Sequence, residues 1–266
     1  MENMEQLSMN RPGSPLSAER RPGKGAPVLI VPGVMADAAT WRPVVDAIDL
    51  PNPVVTVNRR GRCPSGELGA EYSVGVEVDD LRHVIATLGE RVHLFGWSYG
   101  ALIALETALD HDPILSLTAY EPVARPFGTR ALAPLHEAVA ANDFDRVVEI
   151  VNTVVSGFSA GYVAELRLSP VWPVLRALAR PLADELTAIN DYEPALSRYR
   201  QLTVPVTLLL GELNDGLAPY GTAFASFADA LPQARVVRLR GQGHLAHAAA
   251  PGQLARAITD AVISSS

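Results

Sequence analysis

The chain has little cysteine, no long apolar run and no excess of positive charge, and each shortage excludes something. Cys63 is its one cysteine, so no internal disulfide is available. It lies in the polar stretch "RRGRCPSG" and reads as an incidental loop thiol rather than a nucleophile. No apolar segment approaches the ~20 residues that span a bilayer. The opening, "MENMEQLSMNRPGSPLSAERRPGKG", lacks the apolar centre of a secretion signal. The expectation is a cytoplasmic protein with no membrane partner. Twenty-two Lys and Arg stand against 29 Asp and Glu, a formal net charge of −7. That sign argues against nucleic acid, whose phosphates call for a positive surface. Neither a metal-ligand set nor a phosphate-cradling glycine loop is present, so no cofactor and no metal are expected.

What is there is a packable chain: 48% hydrophobic over 266 residues, enough for one large core or a core with an inserted subdomain. Residues 1–25 are rich in Pro, Gly, Arg and Ser and read as a flexible tail. Short apolar or β-branched runs follow: "PVLIV" at 27–31, "PVVTV" at 53–57, "VHLF" at 92–95, "ILSLTAY" at 114–120, "VPVTLLL" at 204–210 and "ARVVRL" at 234–239. The first three and the last two are short and mostly uninterrupted, as expected for parallel strands covered on both faces. Helical patterns alternate with them. "SVGVEVDDLRHVIATLG" has Ser73 as its N-cap and Gly89 as its stop. The alternation implies an α/β fold with right-handed crossovers. From 123 to 200 the strand signal disappears and only helix-like pieces remain. That interval is too long for a structureless loop and reads as a helical insertion. The domain reading is a tail at 1–25, a core at 26–122 and 201–266, and an inserted helical cap at 123–200.

Serine 98 sits in "VHLFGWSYGALIALE", where a strand pattern turns into a helix pattern. A tight strand-to-helix turn forces unfavourable backbone angles on its central residue, and the flanking glycines are needed because a Cβ there would collide with backbone. Such a turn lifts the serine hydroxyl to the carboxyl edge of the sheet, beside a helix N-terminus that favours negative charge. A serine needs a base to act as a nucleophile. Of six histidines, His244 follows the last strand, at the same sheet edge, and small neighbours leave its ring open. His247 is expected to pack or face solvent. His83 lies in a helix pattern, His93 in a strand, and His111 and His136 beside helix ends, all read as surface or packing residues.

Four motifs in order resemble the α/β-hydrolase superfamily over about residues 26–264. "VLIVPGVMADAATW" is similar to its first parallel strand and oxyanion loop, with Pro32 where the family usually has His. "VNRRGRCPSG" is similar to its D-x-R-G-x-G-x-S loop, "GWSYG" to its nucleophile elbow and "GQGHLAHAAAP" to its histidine loop. The resemblance implies a mostly parallel sheet of six to eight strands flanked by helices. It implies Ser98 as nucleophile, His244 as base, and the backbone N–H groups of Val34 and Tyr99 as the oxyanion hole. The family's first two antiparallel strands are not evident before Pro27.

The acid that orients the histidine has two candidates. The usual loop reads "GELNDGLAP" here. Three residues after Gly211 comes Asn214, and four before Pro219 comes Asp215. Glu121 ends the strand after the elbow helix, where some relatives place their acid. A carboxylate there is costly unless paired, and Glu121 is the favoured reading, with Asp215 the alternative.

The implied chemistry is acyl transfer through a serine ester: hydrolysis of a medium-sized, uncharged carboxylic ester or lactone. Phe144, Phe158, Tyr162, Trp172, Tyr192 and Tyr199 are expected in the cap, one or two of them touching substrate. Two other classes stay open. One is an acyltransferase, cyclase or thioesterase-like enzyme using the same residues. The other is a non-catalytic ligand-binding protein on the same scaffold. The expected partner is a small molecule; a homodimer is left open.

Overall fold

The computed structural model describes residues 4–11, 13–110 and 113–265. Among the described residues eight strands form one sheet in the order β1-β2-β4-β3-β5-β6-β7-β8. They are β1 (Glu5–Met9), β2 (Leu16–Arg21), β3 (Val28–Val31), β4 (Val54–Asn58), β5 (Val92–Trp97), β6 (Ile114–Tyr120), β7 (Val206–Gly211) and β8 (Arg235–Leu239). From β4 to β8 every neighbour is parallel, while β2 pairs antiparallel with both β1 and β4. The strand order reverses at β3, so the carboxyl ends of β3 and β5 open side by side. In open α/β sheets such a reversal point is where ligands bind.

The flexible-tail expectation for 1–25 is corrected here, because β1 and β2 both lie inside that stretch. Charged residues disguise β2. Glu19 takes a two-pronged hydrogen bond from Arg42, with Nε at 2.7 Å and Nη2 at 2.6 Å. Arg21 spends its guanidinium on the carbonyls of Val45, Ile48, Leu50 and Asn52. A polar side chain whose partners are all supplied by the fold can be buried in a strand. Residues 1–3 and 12 of that stretch lie outside the described residues, as does His111.

Helices cover both faces. Helices α1 (Ala38–Ala47) and α11 (Pro251–Ile263) enclose a core built on Trp41, Phe95, Leu209 and Leu254. On the other face α2 (Val74–Leu88) and α3 (Tyr99–Ala108) pack with α9 (Tyr220–Ala230) over Leu29, Leu94, Leu117 and Leu208. Ser73 caps α2 by accepting from Val76 N–H, and Gly89 ends it at φ 69°. Between β6 and β7 the chain forms α4 (Leu132–Ala140), α5 (Phe144–Ile150), α6 (Ala160–Leu168), α7 (Trp172–Leu178) and α8 (Leu182–Asp191). A π-helical turn, Val151–Val155, follows α5 directly. The last helix before α11 is the short α10 (Ala246–Ala249).

Candidate active site

Ser98 joins β5 to α3 with φ 58° and ψ −120°. Such angles cost a non-glycine residue about 1–3 kcal/mol and persist only where the surroundings enforce them. The surroundings are visible. Ser98 N–H donates to Tyr120 O at 2.9 Å, and Ser98 O accepts from the N–H groups of Ala101 and Leu102. A Cβ on Gly96 would sit 2.4 Å from Gly100 O, and one on Gly100 would sit 2.0 Å from Val31 O. Only hydrogen fits at either position, so the turn closes tightly and the serine side chain is left at the sheet edge.

His244 follows β8 in a loop held by two side chains. Trp97 Nε1 donates to His244 O at 2.9 Å, and the Tyr120 hydroxyl donates to Gly243 O. The imidazole is stacked on Tyr220, with centroids 3.6 Å apart and planes 11° apart. Its Nδ1 lies 2.6 Å from Glu121 Oε2. That pairing makes Nδ1 the protonated nitrogen and leaves Nε2 free to accept a proton.

Glu121 stands just past β6 at φ 44° and has no exposed surface. Its carboxylate is well supplied with donors. Oε1 accepts from Gly211 N–H at 2.7 Å, and Asn214 Nδ2 reaches Oε1 at 3.0 Å and Oε2 at 2.9 Å. Asp215 is half-exposed and pairs with Arg238 at 2.8 Å. The residue three beyond Gly211, Asn214, thus meets the carboxylate as an amide donor, and Asp215 turns away to the surface.

Gly33 packs so closely that a Cβ on it would lie 2.8 Å from Ser98 Cβ. The next residue, Val34, and Ser98 line the same cavity. Tyr99 is the first residue of α3, so its N–H has no acceptor within the helix. Val34 and Tyr99, both singled out from sequence, therefore flank Ser98.

The cavity measures about 410 Å³, within the usual range for small-molecule sites. Ser98 and His244 line it together with Met35, Trp97, Phe127, Val151, Val155, Phe158, Tyr162, Leu175, Leu186 and Tyr220. Asn152 and Ser156 bring polar groups, and no Asp, Glu, Lys or Arg is among its described lining residues. A second hollow of similar volume, about 410 Å³, opens beside Tyr72, Ser73, Asp184 and Asp191, with no histidine in its lining.

Of the aromatics expected in the insertion, Phe158 and Tyr162 reach the cavity. Trp172 donates to Asp145, Phe144 lies under Arg180, and Tyr192 and Tyr199 both donate to Glu106. Sequence reasoning missed Phe127 and Tyr220. Tyr220 opens α9 right after "GELNDGLAP", and that place beside the acid loop was its one signal. His247 packs instead of facing solvent: it stacks on Trp41 with centroids 5.2 Å apart and planes 7° apart. Burial, with help from His244, lowers its pKa to about 3. It stays neutral beside the first histidine. His93 Nδ1 bonds Ser116 and His136 Nε2 bonds Thr187, both away from the cavity.

A doubly wound sheet, a serine at a strained strand-to-helix turn and a carboxylate-paired histidine after the last strand define a class. The sequence matches the alpha/beta hydrolase family over residues 28–257, and the chain belongs to that family. It is 28% identical over 212 residues to a pimeloyl-[acyl-carrier protein] methyl ester esterase of Aliivibrio salmonicida, covering 76% of this chain and 78% of the relative. It is 25% identical over 253 residues to a 2-(acetamidomethylene)succinate hydrolase of Mesorhizobium japonicum, covering 91% and 89%. Among solved structures, an alpha/beta hydrolase from Sphaerobacter thermophilus superposes with a TM-score of 0.81 at 26% identity, covering 96% of this chain and all of the other. An enol-lactonase from Burkholderia xenovorans shares the fold, with a TM-score of 0.80 at 20% identity over 97% of this chain and all of the other. Among the described residues, no helix is long and apolar enough to cross a membrane.

Proposed function

We propose that the protein is a serine hydrolase that cleaves a neutral, largely apolar carboxylic ester or lactone through an acyl-enzyme. The observation that carries this reading is His244, with Nδ1 held by a fully buried Glu121 and its ring on the cavity that Ser98 also lines. Ser98 attacks the carbonyl and His244 takes its proton through Nε2. Glu121 keeps the imidazole in the useful tautomer and stabilises the imidazolium as it forms. The Val34 and Tyr99 N–H groups receive the oxyanion, a charge that exists only in the transition state. Each such donor is worth on the order of 10²–10³ in rate. His244 then protonates the leaving alcohol, and water attacks the ester on Ser98.

The helices between β6 and β7 act in this reading as a cap, since Phe127, Val155, Phe158, Tyr162, Leu175 and Leu186 contribute apolar wall to the cavity. The wall also bears on substrate charge. The Mesorhizobium relative is named for a succinate, but a carboxylate in this cavity would meet no cation. Burying an unpaired charge costs several kcal/mol.

The test is a panel of p-nitrophenyl esters with neutral alkanoyl groups of increasing length, set beside the hemisuccinate ester and neutral lactones. The reading expects kcat/KM to rise with chain length to an optimum, and the hemisuccinate to fall at least about tenfold below the alkanoyl ester of equal length. A preference for the hemisuccinate would overturn the neutral-substrate assignment. Absence of turnover on the whole panel would overturn the ester or lactone assignment. Added alcohol separates hydrolysis from acyl transfer, because only a transferase returns the acyl group chiefly as the new ester.

A further inference from the structure

The loop after β4, "NRRGRCPSG", buries charge beside the proposed site. Arg59 has a side chain only 2% exposed. Its Nη1 lies 2.6 Å from Glu77 Oε1 on α2, and its Nη2 lies 2.6 Å from Glu185 Oε1 on α8. Two further bonds go to backbone: Nε to Pro32 O at 2.8 Å and Nη2 to Gly33 O at 2.9 Å. Arg62, fully buried, adds a bond from Nη2 to Glu185 Oε2 at 2.8 Å and one from Nε to Ala36 O at 3.3 Å. Between these carbonyls Met35 takes φ 58°, the left-handed region that disfavours a side chain. Two arginines thus grip the strained loop from Pro32 to Ala36 from behind.

Buried ion pairs of this kind are weak contributors to stability, since apolar replacements are often as good. Their geometry does something else. In a trans peptide the C=O and the following N–H point in opposite directions. When Arg59 holds the Gly33 carbonyl, the Val34 N–H is turned to the opposite side of the loop. Val34 lines the cavity with Ser98, and Gly33 lies against the Ser98 side chain. Arg59 is not among the cavity-lining residues and does not touch a substrate held there.

We propose that Arg59 is the positioning residue that aims the Val34 N–H at the developing oxyanion, and that Glu185 makes this aim depend on α8 being docked. The inference rests on the serine-hydrolase reading. Its mechanism is one of placement. The donor is a backbone N–H that no substitution at position 34 except proline removes, so its direction is set by what holds the carbonyl behind it. Misplacement of such a donor by about 1 Å costs around 10² in rate, and its loss 10²–10³. Glu185 reaches both arginines from the helical insertion, so the wall of the cavity and the oxyanion donor are fastened by one carboxylate. A substrate that seats α8 firmly would tighten the same grip.

The experiment compares wild type, Arg59→Lys and Glu185→Gln by kcat, by KM and by the Ki of an alkylboronic acid. A boronic acid adds to the serine and puts a charged oxygen in the oxyanion hole, so its Ki reports the hole and not general substrate binding. Labelling of Ser98 by a fluorophosphonate in the wild type is checked first. For Arg59→Lys the expected result is a fall in kcat of about 100-fold, a boronic-acid Ki weakened by a similar factor, and KM within about threefold. For Glu185→Gln, which keeps shape and removes charge, the expected loss is about tenfold in kcat and Ki alike, again with KM steady. A folded Arg59→Lys with kcat and Ki within about threefold of wild type overturns the proposal, as does a change confined to KM. If Arg59→Lys fails to fold, Glu185→Gln decides alone, and wild-type kcat and Ki there overturn it. A wild-type enzyme that turns over ester while Ser98 stays unlabelled contradicts the serine reading itself, whatever the variants do.

Discussion

Glu121→Gln isolates the carboxylate's charge and acceptor capacity with almost no change of shape. In the native arrangement the two oxygens take four contacts, all from donors: Gly211 N–H at 2.7 Å, Asn214 Nδ2 at 3.0 and 2.9 Å, and His244 Nδ1 at 2.6 Å. An amide has one oxygen and one NH₂. If the oxygen faces Gly211, the NH₂ faces His244 and Asn214. The imidazole then accepts at Nδ1, its proton moves to Nε2, and the nitrogen needed to deprotonate Ser98 is occupied. If the amide is reversed, the NH₂ opposes Gly211 N–H instead. Either way a buried donor meets a donor, at about 1–3 kcal/mol in stability. The equivalent acid-to-amide change in a serine protease lowers kcat by about 10⁴, a barrier increase of about 5 kcal/mol. We expect a fall of 10³–10⁴ here on a p-nitrophenyl alkanoate. The same assay on Asp215→Asn is expected to stay within about twofold. Its partner is the half-exposed Arg238 at 2.8 Å, and surface pairs contribute about 0–1 kcal/mol. Glu121→Gln retaining more than about a tenth of wild-type kcat, or Asp215→Asn proving the more damaging, would refute the assignment of the orienting acid.

Three further outcomes follow from the geometry. Gly100→Ala puts a Cβ 2.0 Å from Val31 O, and since the obstacle is backbone the variant is expected to lose more than about 3 kcal/mol by urea unfolding or to be insoluble. Ser98→Gly relieves φ 58° and is expected to be inactive yet more stable by about 1 kcal/mol, a rise in Tm that Ser98→Ala does not share. His247 has its pKa lowered to about 3 when folded, against ~6.5 unfolded, so the unfolded chain binds more protons between those values and stability falls as pH drops through that window. His247→Phe, which keeps a ring against Trp41, is expected to lose about 2 kcal/mol less than wild type between pH 7.5 and pH 5 in paired urea titrations; equal losses would show that His247 is not the group responsible.

The parts of the fold most legible in sequence were those where burial is two-sided; β8 corrects the expectation of two covered faces for "ARVVRL", because as the edge strand it leaves most of its residues exposed. Runs such as "VLIV" and "VTLLL" are apolar at every position because helices cover both faces, and all of their residues are buried. The elbow was legible because its glycines answer to backbone contacts of 2.0–2.4 Å that no other residue meets. β2 was not legible, because "LSAERR" buries Glu19 and Arg21 by means of tertiary partners: Arg42 for Glu19, and four carbonyls for Arg21. Period and propensity carry no trace of partners 20 or more residues away. The carboxylate that pairs with His244 was half legible. "GELNDGLAP" offers an acid and an amide side by side, and only the turn Glu212–Asn214 determines that Asn214 points inward while Asp215 pairs outside. The cavity wall was least legible. Phe127 and Tyr220 come from separate connections and meet only in space, at 5.9 Å between ring centroids.

The central claim is that Ser98 carries the acyl group during turnover. The direct measurement is intact and peptide mass after acid quench of the enzyme with a p-nitrophenyl alkanoate in the first turnovers. The account predicts a mass gain equal to the alkanoyl group, confined to the peptide that contains Ser98, with a matching burst of p-nitrophenol. It predicts neither in Ser98→Ala. Ester turnover by Ser98→Ala above about a tenth of the wild-type kcat, or an acyl group found on another residue at the same rate, would contradict it.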